Sequence, residues 1–250
     1  MNPLKTIRDE YERKARLYPG LLVISPIMAT SFAIFSPHIS LIRLLVVGAM
    51  GGGGPFLLTQ LTRDLGKKKE KELYSKWGGM PSMAIFRYRD IRLDSITKER
   101  YRKKLSTLVK EVKAPTVEEE KANPSAADEV YLAWSNFLRT NTRDQRKFSL
   151  LFKENLNYGY RRNVLGLRSI GIAMCLLSGL ICGFLIYRIY MSTGKIDKPL
   201  AGGGIFSLVF LTLWVIRFKE NWVKVSADAY AERLAECTET FTIKSSTKKN

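Results

Sequence analysis

Two runs near the C-terminal end, residues 169–187 and 199–216, contain no charged side chain, and only the short polar stretch 188–198 separates them. A helix needs about 20 mainly apolar residues to cross the hydrocarbon of a bilayer, and each run is close to that length. The pair predicts a transmembrane hairpin over 169–218. A second apolar stretch, residues 17–62, carries Arg43 as its one formal charge. Pro37, within Ser36-Pro37-His38-Ile39-Ser40, is the expected turn there, because proline interrupts the helical hydrogen-bond ladder. A first hairpin over 19–62 follows, with membrane helices over 19–36 and 40–62 and proline kinks at Pro26 and Pro55. No acid falls between Glu12 and Asp64 or between Glu154 and Asp197. That segregation of apolar from charged sequence is the pattern of a membrane protein.

The charge confined to the remaining segments is strongly basic. Lys and Arg total 41 against 23 Asp and Glu, a formal net charge of +18. Residues 63–168 hold twenty-five of the cations against fourteen acids, the first 18 residues hold five, and the segment from Arg217 onward holds seven. The turn at 36–42 has none, and the turn at 189–198 has only Lys195 and Lys198. Because positive loops stay on the cytoplasmic side, both termini and the middle segment are expected in the cytoplasm of a multi-pass inner-membrane protein. Attraction to anionic headgroups accounts for such an excess, as does binding of nucleic acid or nucleotide.

Organisation along the chain follows from periodicity. Residues 1–18, with Lys5, Arg8, Arg13, Lys14 and Arg16 among Ile7, Tyr11, Leu17 and Tyr18, suit an amphipathic helix on the membrane surface. A basic cytoplasmic helical domain is expected over 63–168. In it, Trp77-Gly78-Gly79-Met80-Pro81 reads as a turn, 83–93 as a short strand or extended segment, and 114–124 as a loop. Helices are expected over 97–112, capped at Thr97, over 125–140 and over 143–160, with aromatic stripes that make a bundle. Residues 219–250 read as a cytoplasmic helix that continues the fourth membrane helix, followed by a polar tail. The fold class is therefore all-α: two transmembrane hairpins, four helices in total, flanking a helical cytoplasmic domain.

Within the membrane segments the small residues stand out. Gly171, Cys175, Gly179 and Gly183 recur every four residues, and the other hairpin carries Gly48 and the run 51–54 that includes Gly52. Such faces let helix backbones approach closely, within one chain or between copies, so a homo-oligomer is expected. No Asp or Glu lies in any expected span, which argues against a proton- or cation-coupled transporter. Three cysteines and the lone His38 assemble no metal site, and no nucleophile motif or phosphate loop is readable. A non-enzymatic role without cofactor is expected.

Two basic-aromatic clusters are the candidate ligand residues: Arg87, Tyr88, Arg89 and Arg92, and then Arg100, Tyr101 and Arg102. Guanidinium groups can grip an anionic ligand while tyrosines stack on bases. A third cluster, Arg161 and Arg162 together with Trp222, reads as membrane-interface anchoring, where such side chains meet headgroups.

Trp77-Gly78-Gly79-Met80-Pro81, Arg89-Asp90, Thr97-Lys98-Glu99-Arg100-Tyr101, Thr142-Arg143-Asp144 and Tyr158-Gly159-Tyr160-Arg161-Arg162-Asn163 form a set that resembles motifs of uncharacterised bacterial four-helix inner-membrane proteins. The likeness covers residues 77–172 and implies a bacterial inner-membrane location without an activity. The layout is also similar to that of membrane effectors of antiphage systems, a likeness of architecture, which does not carry function by itself. The leading expectation is a signal-gated effector that alters membrane permeability. A constitutive channel or uncoupled transporter, and a membrane-anchored scaffold for a protein or nucleic-acid partner, are the alternatives.

Overall fold

The structure, a computed structural model, describes residues 9–35, 53–109 and 112–242. All regular structure among them is helical. In chain order the helices are α1 (Glu12–Phe35), α2 (Gly54–Lys76), α3 (Pro81–Ala84), α4 (Ser95–Leu108), α5 (Val117–Ala122), α6 (Pro124–Asn141), α7 (Ser149–Gly166), α8 (Arg168–Thr193), α9 (Lys198–Arg217) and α10 (Glu220–Glu236). Helices α1, α8 and α9 are long and apolar enough to cross a membrane. The 26 residues of α8 extend about 39 Å, against about 30 Å of hydrocarbon. Three helices able to span are thus present among the described residues, where four were expected. Most of the expected 40–62 helix, with the Pro37 turn, Arg43, Gly48 and Gly52, lies outside the described residues, as do 1–8 and 244–250.

Contacts sort the chain into two units, Met1–Lys71 with Gly159–Val223, and Glu72–Tyr158 with Lys224–Asn250. In the first unit α1, α8 and α9 pack against one another. Their interior is not purely apolar. Pro26 cannot donate a backbone hydrogen bond to Leu22, and the Ser25 hydroxyl donates to that carbonyl instead, at 2.9 Å. The buried Ser178 Oγ lies 2.5 Å from Thr30 Oγ1 and 2.6 Å from Ser207 Oγ, and donates to the Pro26 carbonyl at 3.0 Å. One hydroxyl on each helix therefore meets the others in the centre of the bundle. In lipid, such bonds hold helices together where apolar contact gives no gain over the solvent.

The second unit has a conventional core. Phe86, Tyr101, Leu105, Tyr131, Trp134 and Leu138 are buried together, with Leu234 and Ala235 of α10 against them. Phe86 meets Trp134 edge-on at 5.8 Å between centroids. Helix α10 gives this core Ala231, Leu234 and Ala235, while its Val225 is exposed.

Several expected boundaries are corrected. Residues 83–93 form no strand: Pro81 starts the short α3, and Ile85, Phe86 and Arg87 are all buried, so no two-residue alternation exists. The expected loop 114–124 contains α5, where the Thr116 side chain accepts from the Glu119 amide and Glu119 returns the bond. Glutamates in its first turn complement the helix dipole, which the run of acids alone did not reveal. The α4 helix begins two residues early, because Asp94 caps it by accepting from the Thr97 amide at 2.8 Å. Before α7, Asp144 accepts from the Arg146 and Lys147 amides in a turn, delaying that helix to Ser149. Phe218, at φ −88° and ψ 80°, interrupts the helix between α9 and α10, so α10 is not the expected continuation of α9. At the other end, residues 12–17 form a π-helical turn in line with the apolar helix, with Ala15 and Leu17 buried, rather than a separate surface helix.

Candidate functional site

The turn after α2 begins the site. Gly78 and Gly79 adopt φ of +70° and +132°, and the Gly79 amide donates back to the Tyr74 carbonyl at 2.8 Å, closing the helix end. A side chain at Gly79 would put its Cβ 2.8 Å from Met83 Cε and 3.0 Å from Arg87 Nη2. The glycine pair lets the backbone wrap a guanidinium: Arg87 donates to the Gly78 carbonyl at 2.8 Å and grips both oxygens of Asp128 at 2.7 Å.

The segment that follows is drawn inward by Lys98. Its buried ammonium donates to the carbonyls of Arg87 and Tyr88, at 3.1 and 3.5 Å, and to that of Asp90. Burial lowers the Lys98 pKa from its ordinary value, against the opposing pull of Asp90. Arg92 forks onto Asp90, reaches Asp228 of α10 at 2.7 Å and donates to the Pro81 carbonyl at 3.1 Å. Burial works to raise the Asp90 carboxyl, but the Arg92 bonds and the nearby cations outweigh it and hold the pKa below the usual 3.8. Asp90 is therefore ionised at neutral pH. Lys224 donates to both oxygens of Asp228, at 2.5 and 2.7 Å, and its ammonium lies 5.4 Å from the centre of the Trp77 ring.

These side chains surround a depression of about 290 Å³, lined by Trp77, Gly79, Pro81, Ala84, Arg87, Arg89, Asp90, Arg92 and Lys224. Four cations and one carboxylate face it, and Asp128 and Asp228 neutralise cations from just outside. The formal balance leaves one positive charge in excess, and Arg89 is that charge. It is exposed, and it makes no hydrogen bond or ion pair among the described residues.

Arg87, Arg89 and Arg92 are thus brought together, as their spacing suggested. The rest of the expected ligand set lies elsewhere. The Tyr88 ring is covered by the Arg102 guanidinium at 3.9 Å. Arg102 is 1% exposed, donating to the carbonyls of Phe86 and Pro115 and to the Tyr131 hydroxyl at 2.5–2.8 Å. Tyr101 is buried in the core, and Arg100 pairs with Glu239 at 2.8 Å on the surface. Sequence reasoning did not place Trp77, Lys224 or Asp228 at this site. Trp77 was legible as part of a turn, but no local signal joins it to residues nearly 150 positions away.

The third cluster serves the first unit. Arg161 donates to the Trp222 carbonyl at 3.0 Å, and its guanidinium lies 5.2 Å from the Trp222 ring, with Arg217 at 4.9 Å. Arg162 is buried at 3% exposure, bonded to Glu70 at 2.8 Å and to the side chain of Asn163. Burial raises the Glu70 pKa less than Arg162 and Lys67 lower it, so the carboxyl stays ionised. Arg162 holds helices together rather than reaching headgroups. Asn163 donates to the Ala15 carbonyl, and α2 and α7 cross so closely that a Cβ on Gly166 would lie 2.7 Å from the Leu65 carbonyl oxygen.

Of the small-residue face on α8, Gly171 lies under the Trp214 ring, where a Cβ would sit 2.3 Å from ring carbon, and Cys175 is buried beside it. Gly179 and Gly183 have nothing within 4 Å of an added Cβ among the described residues. All three cysteines are free and buried, and burial pushes the Cys237 thiol up to about 11.

No protein-family model, curated protein or solved structure matches the chain.

Proposed function

We propose that this chain is a signal-gated effector of the bacterial inner membrane, non-enzymatic and assembled from several copies, that changes membrane permeability when its helical unit meets an anionic signal. The observation that carries the reading is the partnerless Arg89 at the edge of a preformed cationic depression, in a chain that also has three helices able to span a bilayer. The neighbouring guanidinium groups, Arg87 and Arg92, are paired with carboxylates. Cells use such poised charge for recognition. Both termini and the helical unit lie on the cytoplasmic side in this reading, from the Lys and Arg counts of the flanks. A role in defence against phage fits an effector of this layout.

The test is membrane potential, read with a voltage-sensitive dye in vesicles holding the wild type or Arg89→Glu, with bacterial cytosolic extract supplied to both faces. Arg89 is the residue to change, since Arg87 is tied to Asp128 and its loss disturbs the fold. Collapse of the potential by wild type alone, at equal protein content, is expected. Equal collapse by both proteins removes the pocket from gating, and a steady potential with wild type overturns the permeability reading.

A further inference from the structure

We infer that the depression around Arg89 binds a phosphate monoester, with the ester's organic portion against Trp77 and Pro81. The inference rests on the receptor reading above and names the chemistry of its ligand. Donors reach the depression from two separate stretches of chain: Arg87, Arg89 and Arg92 in the segment between α3 and α4, and Lys224 on α10. A planar carboxylate satisfies donors lying in one plane, whereas a tetrahedral phosphate offers three terminal oxygens to donors arriving from different sides. Two of the guanidinium groups are already fixed by carboxylates and backbone carbonyls, so little side-chain freedom is lost when they meet an anion. Trp77 and Pro81 supply an apolar wall beside the charges.

Asp228 gives the inference a distinctive signature. Its carboxylate occupies both Lys224 and Arg92. An incoming phosphate competes with it for the same donors, so removing its charge must strengthen phosphate binding, while removing Arg89 must weaken it. A pocket whose charges serve only the fold shows neither effect.

The experiment is calorimetric titration of the full chain in detergent, with adenosine monophosphate as the soluble probe and phosphatidic acid in mixed micelles as the lipid probe. Arg89→Ala is expected to weaken binding about tenfold or more, the loss of one charge-assisted contact. Asp228→Asn is expected to tighten it several-fold, and Lys103→Ala, which removes an exposed cation outside the lining of the depression, to leave it unchanged. Circular dichroism confirms that each variant is folded. Saturable binding of adenosine monophosphate identifies a soluble ligand, and binding of phosphatidic acid alone identifies a headgroup. Both support the phosphate assignment. Saturation by neither probe, or equal weakening by Arg89→Ala and Lys103→Ala, overturns it. Binding with a steady membrane potential leaves this site standing and removes the effector reading. Collapse of the potential without binding does the reverse.

Discussion

The bundle of α1, α8 and α9 and the helical unit both bury polar groups, but among the described residues only the helical unit of the two buries charged ones. In the bundle of α1, α8 and α9 the interior polar groups are hydroxyls, Thr30, Ser178 and Ser207, which satisfy one another and a carbonyl near Pro26. In the helical unit guanidinium and ammonium groups are buried as well, Arg87, Arg102 and Lys98, and they are satisfied by carboxylates and backbone carbonyls. The difference fits the membrane reading proposed above, in which α1, α8 and α9 lie in lipid. A charge in hydrocarbon has no water to fall back on, so only weakly polar groups are tolerated at helix contacts there. In the helical unit, charges can be buried because turns supply free carbonyls and α5, α6 and α10 supply acids. Closed hydroxyl clusters leave nothing over, whereas a mixture of acids and bases can carry a surplus, and here it carries Arg89.

The largest expected effect breaks the charged side of this comparison. Arg102→Leu strands the Phe86 carbonyl in a buried site, while the Pro115 carbonyl keeps the Tyr88 hydroxyl at 3.3 Å and the Tyr131 hydroxyl keeps Glu120. One stranded buried carbonyl costs roughly 1–3 kcal/mol and each lost bond to a charged donor roughly 1.5–3 kcal/mol, so a loss of about 3 kcal/mol or more is expected in the unfolding of the helical unit by denaturant. Stability equal to wild type would show that solvent reaches these carbonyls, and the distinction between the units would fail.

A smaller effect separates two glycines that the sequence presents as equivalent. Gly171→Ala drives a Cβ into the rigid face of Trp214, and the resulting helix shift is expected to cost about 1–3 kcal/mol. Gly179→Ala meets nothing within this chain and is expected to be neutral or slightly stabilising in thermal unfolding. If Gly179→Leu nevertheless dissociates a higher oligomer on size-exclusion chromatography, the open half of that face is where copies meet.

The contrast between these glycines marks what could be read from the sequence. Charge-free runs locate α8 and α9 well, because the need for apolar length in a bilayer is a property of the segment alone. The four-residue spacing of Gly171, Cys175, Gly179 and Gly183 places them on one face, but which of them meets a partner depends on Trp214, more than 30 residues away. The close backbone approach of Gly166 to Leu65 and Gly66 has no local signature, since the two glycines lie 100 positions apart along the chain. The candidate site divides in the same way. Arg87, Arg89 and Arg92 are close in sequence and are found together. Lys224 and Asp228 reach them only because α10 restarts after the break at Phe218 and packs into the helical unit. The alternation of residues 83–93 misled because Lys98 gathers the carbonyls of that segment, a tertiary contact that overrides local pattern.

The smallest expected effect tests the hydroxyl side. Ser178→Ala removes the shared member of the cluster, and Thr30 and Ser207 lose a partner. Ser207 keeps its bond to the Gly203 carbonyl at 2.8 Å, and Thr30 keeps its contact with Cys182 at 3.4 Å, so neither is stranded. Interhelical hydrogen bonds in bilayers average about 0.6 kcal/mol, and a change of that order is expected when unfolding is followed in bicelles. A cost comparable to that of Arg102→Leu would mean that the hydroxyls do more than join helices, for example by holding water in the bundle. The comparison between the units would then turn on hydration rather than on the kind of polar group buried.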